Sequence, residues 1–162
     1  MSDIGERAAT RSTTRAFALA LVWIAGAIWT LPNTVIGLLM GLPALAFGAK
    51  LRVGDAALVF VDYPWGPGGA LALGNSILCT HASLDCQCRT YAERHGMAPA
   101  GGLQHRLGDH ERAHVFQAMA LGIFFLPMYL LCGGISARNR FEQTADRYAQ
   151  TGQGWWPWSS SG

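Results

Sequence analysis

The sequence predicts an α+β membrane protein: an N-terminal transmembrane helical hairpin, a small β-hairpin or sheet, and C-terminal helices carrying an H-E-x-x-H motif. Three observations carry this. Residues 16–49 hold no charged side chain. Residues 56–62 and 70–80 are rich in β-formers and are separated by a Pro- and Gly-rich break. His110, Glu111 and His114 then stand at the spacing that helices use to hold a metal ion.

Composition agrees. Hydrophobic residues make up 51% of the 162 and charged residues 14%, against roughly 25% charged in an ordinary soluble domain. Mean hydropathy is +0.20. Disorder is excluded, because it needs high charge and few apolar residues. Net charge is +2 and Lys50 is the only lysine, so no nucleic-acid partner is expected. The length fits one domain with a membrane appendage.

Residues 1–15 are polar and carry Arg7, Arg11 and Arg15; they read as a flexible N-terminus. Residues 16–49 exceed the roughly 20 apolar residues that a span requires. Leu31, Pro32, Asn33 and Thr34 interrupt them, and Pro and Asn favour a turn and a new helix start. The reading is a hairpin of residues 16–31 and 34–49; the alternative is one crossing with the remainder at the interface. Each half is about 24 Å of helix, short for a bilayer. Arginines before the run, and Lys50 and Arg52 after it, place both ends in the cytoplasm by the positive-inside rule. The lipid bilayer is thus the expected partner and a bacterial inner membrane the expected location. Ala25, Gly26 and Ala27 resemble a cleavage site, but apolar sequence continues past them, so the anchor reads as uncleaved.

Residues 50–108 read as a small β/loop region. Gly54-Asp55 is a turn, 56–62 a strand, 63–69 a loop and 70–80 a second strand. Cys79, Cys86 and Cys88 cluster with His81. A metal site, a disulfide and free thiols all remain open there, although Cys-x-Cys is not the usual metal spacing. Residues 93–108 lack periodicity, and His95 and His105 read as solvated.

Residues 109–150 read as the helical metal-site region. On a helix His110 and His114 share one face, so both imidazoles can bind one zinc ion. Glu111 lies about 100° round, placed to activate a metal-bound water. Asp109 caps a helix expected over 109–121 and ended by Gly122. A two-histidine helix without metal is the plain alternative.

Glu142 and Asp146 follow at i, i+4 on a segment that reads as helix over 140–150. The pattern resembles that of thermolysin-like zinc metallopeptidases, the gluzincins. The resemblance implies Glu142 as third zinc ligand and Asp146 as the carboxylate orienting a ligating imidazole. It departs in one place: the family has Asn directly before the Glu, and here Phe141 stands there, with Asn139 two residues earlier. A solvated face paired with Arg138, Arg140 and Arg147 is the other reading. A broader resemblance is to small uncharacterised bacterial membrane proteins. They share the Leu-Pro-Asn-Thr of residues 31–34, the His-Glu-Arg-x-His with Gln117, the apolar segment 125–130 and the Asn-x-Phe-Glu-x-x-Ala of residues 139–145. It implies a recurring architecture and no particular activity.

Residues 115–135 are apolar apart from Gln117. As one straight helix of about 31 Å they would span a bilayer and keep Glu142 from the histidines. A break at Gly122, with Pro127 and Gly133-Gly134 beyond, instead folds the chain back. The tail, 151–162, carries Trp155, Trp156 and Trp158, which suit either a membrane interface or the protein's own surface.

The functional expectation is a membrane-anchored zinc metallopeptidase-like hydrolase. Zinc sits on His110, His114 and Glu142, and Glu111 takes the proton of the attacking water. A peptide or membrane-protein segment is the substrate, and Arg147 and Tyr148 are candidate oxyanion donors. Two alternatives stand beside it. One is a non-catalytic structural or accessory membrane protein. The other is a non-catalytic metal site with His105 as fourth ligand.

Overall fold

The computed structural model describes residues 2–97, 102 and 104–159, with side chains from Arg15 onward. The fold is α+β. Helix α1 (Ser2–Trp29) takes in the polar start that read as a flexible segment, and α2 (Leu31–Ala44) runs into a 3₁₀ turn (Leu45–Phe47). The break falls at Thr30. Pro32 therefore sits in the first turn of α2, where its missing N–H costs nothing. Arg15–Trp29 and Leu31–Phe47 are together long and apolar enough for a broken span or a re-entrant loop, and they meet at a bend of 67°. That is well short of the reversal a hairpin requires.

Asn33, Thr34, Gly37, Gly41 and Ala44 form the buried stripe of α2. The small residues let the helix lie directly on the sheet. A methyl group at Gly37 would come within 2.7 Å of the Ser76 side chain, and one at Gly41 within 2.4 Å of the Phe60 ring. The opposite face is apolar yet exposed, Leu39 by 70%, and Phe47 of the following 3₁₀ turn is exposed by 67%.

The sheet has four strands where two were expected: β1 (Lys50–Gly54), β2 (Ala57–Val61), β3 (Ala70–Leu73) and β4 (Ser76–Cys79), in the order β1-β2-β4-β3. Lys50 and Arg52 hid β1, an edge strand that buries no side chain. The segment 70–80 is two strands because Gly74, at φ 61°, turns it into a hairpin. The β2–β4 pairing is parallel. Val59, Val61, Ile77 and Cys79 share a core with Leu107 and Val115 of the following helix, while Phe60 and Ser76 meet α2. Burial on both faces explains why these strands read as unbroken apolar runs.

Two short strands, β5 (Gln87–Cys88) and β6 (His105–Arg106), pair around α3 (Tyr91–Arg94). Part of the stretch 93–108 that read as loop is therefore ordered, and His105 is buried rather than solvated. Helix α4 (Leu107–Leu121) begins earlier than expected, with Arg106 rather than Asp109 at its cap position, and ends at Gly122 as expected. A 3₁₀ turn (Gly122–Phe124) and α5 (Phe125–Leu131) follow. Asn139 then caps α6 (Arg140–Thr151) by accepting from the Phe141 N–H at 3.0 Å.

By length and composition Leu107–Leu131 suffices to cross a membrane. Its course is not that of one straight rod. In a continuous helix Tyr129 would stand about 22 Å along the axis from His114, yet the two rings are 6.1 Å apart. The chain turns back at Gly122, whose φ of +56° and close approach to the Trp29 indole admit no side chain. α6 then returns along α4.

Candidate metal centre

His110 and His114 project from one face of α4, and Glu142 meets them from α6. His110 Nε2 lies 3.2 Å from His114 Nε2 and 3.1 Å from Glu142 Oε2, and His114 Nε2 lies 3.5 Å from Glu142 Oε2. Bonds of about 2.0–2.1 Å to a tetrahedral ion give ligand–ligand edges of about 3.3–3.4 Å. The three atoms are thus spaced as three corners of such a site. All three residues are buried and form a group that could hold a metal ion.

The hydrogen bonds around the triad fix where its lone pairs point. His110 Nδ1 donates to Asp146 Oδ1 at 3.0 Å, and His114 Nδ1 donates to Gln117 Oε1 at 2.8 Å. The orientation of the Gln117 amide is forced, because its nitrogen faces the Phe141 and Trp155 carbonyls, which only accept. In the neutral form of each ring, with Nδ1 carrying the hydrogen, both Nε2 atoms are bare. Two imidazole lone pairs and a carboxylate oxygen then converge with no donor between them, an arrangement that calls for a cation. Its proton affinity follows. Burial opposes charge on His110, but hydrogen bonds to Asp146 and Glu142 outweigh it and push its pKa up to about 10. Burial likewise opposes charge on Glu142, yet the neighbouring His114 and His110 hold its carboxyl well below the usual carboxylate range.

Glu111 lies beside the pair, buried, with one oxygen accepting from the Ala72 N–H of β3. Its Oε2 has no hydrogen-bond partner among the described residues. Burial raises its pKa. Both Glu111 and the triad line a cavity of about 510 Å³. The cavity walls are mostly apolar, including Trp65, Leu71, Leu126 and Ile135, with Arg89 and Arg94 also contributing.

The five residues singled out from sequence are all here: His110, His114 and Glu142 in one group, Asp146 holding His110, and Glu111 beside them. Other residues went unread. Tyr129 donates its hydroxyl to Glu142 Oε1, and the Tyr91 N–H donates to Asp146 Oδ2 at 2.8 Å. His105 belongs to a second possible group with His110 and Asp146 and not to the triad, so it is no fourth ligand there. Arg147 and Tyr148 do not line the cavity; Tyr148 packs on Phe116 instead. Among the described residues the four cysteines are free and none enters a metal group. Burial raises the Cys79 and Cys88 thiols to about 11, which keeps them protonated.

The chain matches no protein-family model, no curated protein and no solved structure.

Proposed function

We propose that this protein is a membrane-anchored zinc hydrolase of peptide bonds, with α1 and α2 embedded in the bilayer and the triad of His110, His114 and Glu142 holding zinc. One observation carries the reading: two bare imidazole nitrogens and a carboxylate oxygen at 3.1–3.5 Å, each imidazole fixed by an acceptor behind it. Nitrogen with one carboxylate oxygen is the donor set of a hydrolytic zinc site, which keeps one position open.

Zinc held there supplies Lewis acidity toward water and a substrate carbonyl. The chain's own residues do the rest. Glu111 Oε2, buried and without a partner among the described residues, takes the proton of the attacking water and passes it to the leaving amine. Strand β3 is an edge strand packed on α4, and an extended peptide laid along it would bring a carbonyl past Glu111. The apolar cavity walls receive its side chains and exclude water. The exposed apolar faces of α1 and α2, with Val22 and Ile28 each 67% exposed, supply the membrane contact.

Metal analysis of the detergent-purified protein tests the site, and Glu111→Gln tests the chemistry. Stoichiometric zinc, with peptide hydrolysis lost in Glu111→Gln, is the expected result. Absence of bound metal would replace this reading with that of an accessory membrane protein. Metal without turnover in the parent would leave a binding site alone.

A further inference from the structure

We infer that the tryptophan-bearing C-terminal segment is a working part of this centre: through Gln117 it fixes the orientation of His114. The inference rests on the metal-binding reading above. Gln117 is fully buried on α4, one turn beyond His114. Its Oε1 accepts from His114 Nδ1 at 2.8 Å. Its nitrogen donates toward Thr144 Oγ1 at 3.0 Å, the Phe141 carbonyl at 3.2 Å and the Trp155 carbonyl at 2.9 Å. Thr144 and Phe141 belong to α6, whereas Trp155 lies beyond its end.

The tail is held in place by its rings. Trp155 packs edge-on to Phe116 with centroids 5.9 Å apart, and Trp158 does the same on Phe141 at 5.7 Å. These contacts hold the Trp155 carbonyl against Gln117, where it joins the Phe141 carbonyl in settling which end of the amide faces His114. A reversed amide would point N–H groups at His114 Nδ1. That imidazole would then carry its hydrogen on Nε2, the atom that must be bare to bind metal. Gln117 is thus a positioning residue, and the tail is the lock that keeps it from turning over.

The test is a double-mutant cycle in the full-length protein. The parent, Gln117→Leu, Trp155→Ala with Trp158→Ala, and all three together are loaded with zinc or cobalt(II). Zinc affinity is read by chelator competition, ligand geometry by the visible spectrum of the cobalt form, and folding by thermal unfolding. Gln117→Leu is expected to weaken zinc 10–100-fold and shift the cobalt spectrum. The tail variant is expected to weaken zinc several-fold with the same spectral shift, and to add nothing once Gln117 is already Leu. Trp158→Ala alone serves if the paired change does not fold. Parent-like zinc affinity and spectrum in a folded tail variant would overturn the inference, and so would additive losses in the cycle. A parent that binds no zinc overturns the metal reading itself.

Discussion

Asn33 on α2 donates its side-chain amide to the Gly122 carbonyl across 2.7 Å. The bond joins the apolar N-terminal helices to the break that turns α5 back toward the histidines. In the 3₁₀ turn that follows, this carbonyl accepts from the Phe125 N–H, and Asn33, on the buried face of α2, supplies its second donor. The neighbouring Thr34 hydroxyl accepts from the Asn75 N–H at 2.9 Å and fastens the same turn of helix to the β3–β4 hairpin. The Pro-Asn-Thr sequence thus works as a clamp onto both halves of the fold.

Replacing Asn33 by Leu keeps the approximate volume and removes one of the two donors to the Gly122 carbonyl, leaving the Phe125 N–H. The expected cost is about 0.5–1.5 kcal/mol, the net value of one hydrogen bond, read as a lower thermal midpoint in detergent. A midpoint equal to the parent's would show that the bond contributes nothing.

Much of the site was legible because helical spacing is local. His110 and His114 share a face by periodicity, and so do Glu142 and Asp146. That the two pairs meet depends on Gly122, whose signal was visible, and on Asn33 and Trp29, whose contacts with it were not. Tyr129 gave no sign, Gln117 showed only as part of a motif and His105 only as a possible fourth ligand, since each acts through a partner on another element or in the tail. The sheet was half-read for a related reason. β2 and β4 are buried on both faces and stand out as apolar runs, whereas β1 is an exposed edge whose Lys50 and Arg52 disguise it.

Membrane embedding predicts that the full-length protein stays with the bilayer after a carbonate wash. The apolar residues exposed on α1, α2 and the 3₁₀ turn after it, among them Phe17, Val22, Leu39 and Phe47, are the surface that would face lipid. Release into the soluble fraction would mean that this surface is covered by protein instead.

Asp55 joins the β1–β2 turn to the start of α4. Its carboxylate lies 2.7 Å from Arg106 Nη1 and 2.6 Å from Arg112 Nη2. Burial pushes its pKa up, but the hydrogen bonds and charges of Arg106 and Arg112 outweigh that and lower it. A lowered folded-state pKa means stability present above about pH 4 and lost as pH falls through the folded value. Asn tolerates the positive φ found there, so Asp55→Asn keeps the turn and removes the charge together with one of the two oxygens that accept from the arginines. With both arginines partly exposed, about 1–2 kcal/mol should be lost at neutral pH. The difference from the parent should shrink as unfolding is repeated toward pH 3. A difference constant with pH would assign the effect to something other than charge.

Tyr129→Phe removes the hydroxyl that donates to Glu142 Oε1 and keeps the ring packed between Phe125 and Phe141. Glu142 then loses the bond that directs its other oxygen at the histidines. Zinc affinity should fall on the order of 10-fold with the fold intact. Unchanged affinity would leave Tyr129 a packing residue only.

The order of effects across the site is the most demanding expectation. His110→Ala or His114→Ala leaves two ligands of three, and zinc should no longer copurify. Glu142→Ala should weaken binding strongly for the same reason. Asp146→Asn keeps a group beside His110 Nδ1 but gives up the negative charge that makes it a strong acceptor. Its cost should be about 10–100-fold in affinity. Glu111→Gln touches no ligand, so zinc should stay while hydrolysis disappears, because an amide cannot take a proton from water. A buried polar cluster with no metal role behaves differently. There the alanine variants would all lose stability through unpaired partners, and zinc content would not separate them. Zinc stoichiometry and thermal unfolding, measured together on these five variants, decide between the two. Metal loss confined to the three ligands, with zinc retained in Glu111→Gln, is the pattern that only a working metal centre produces.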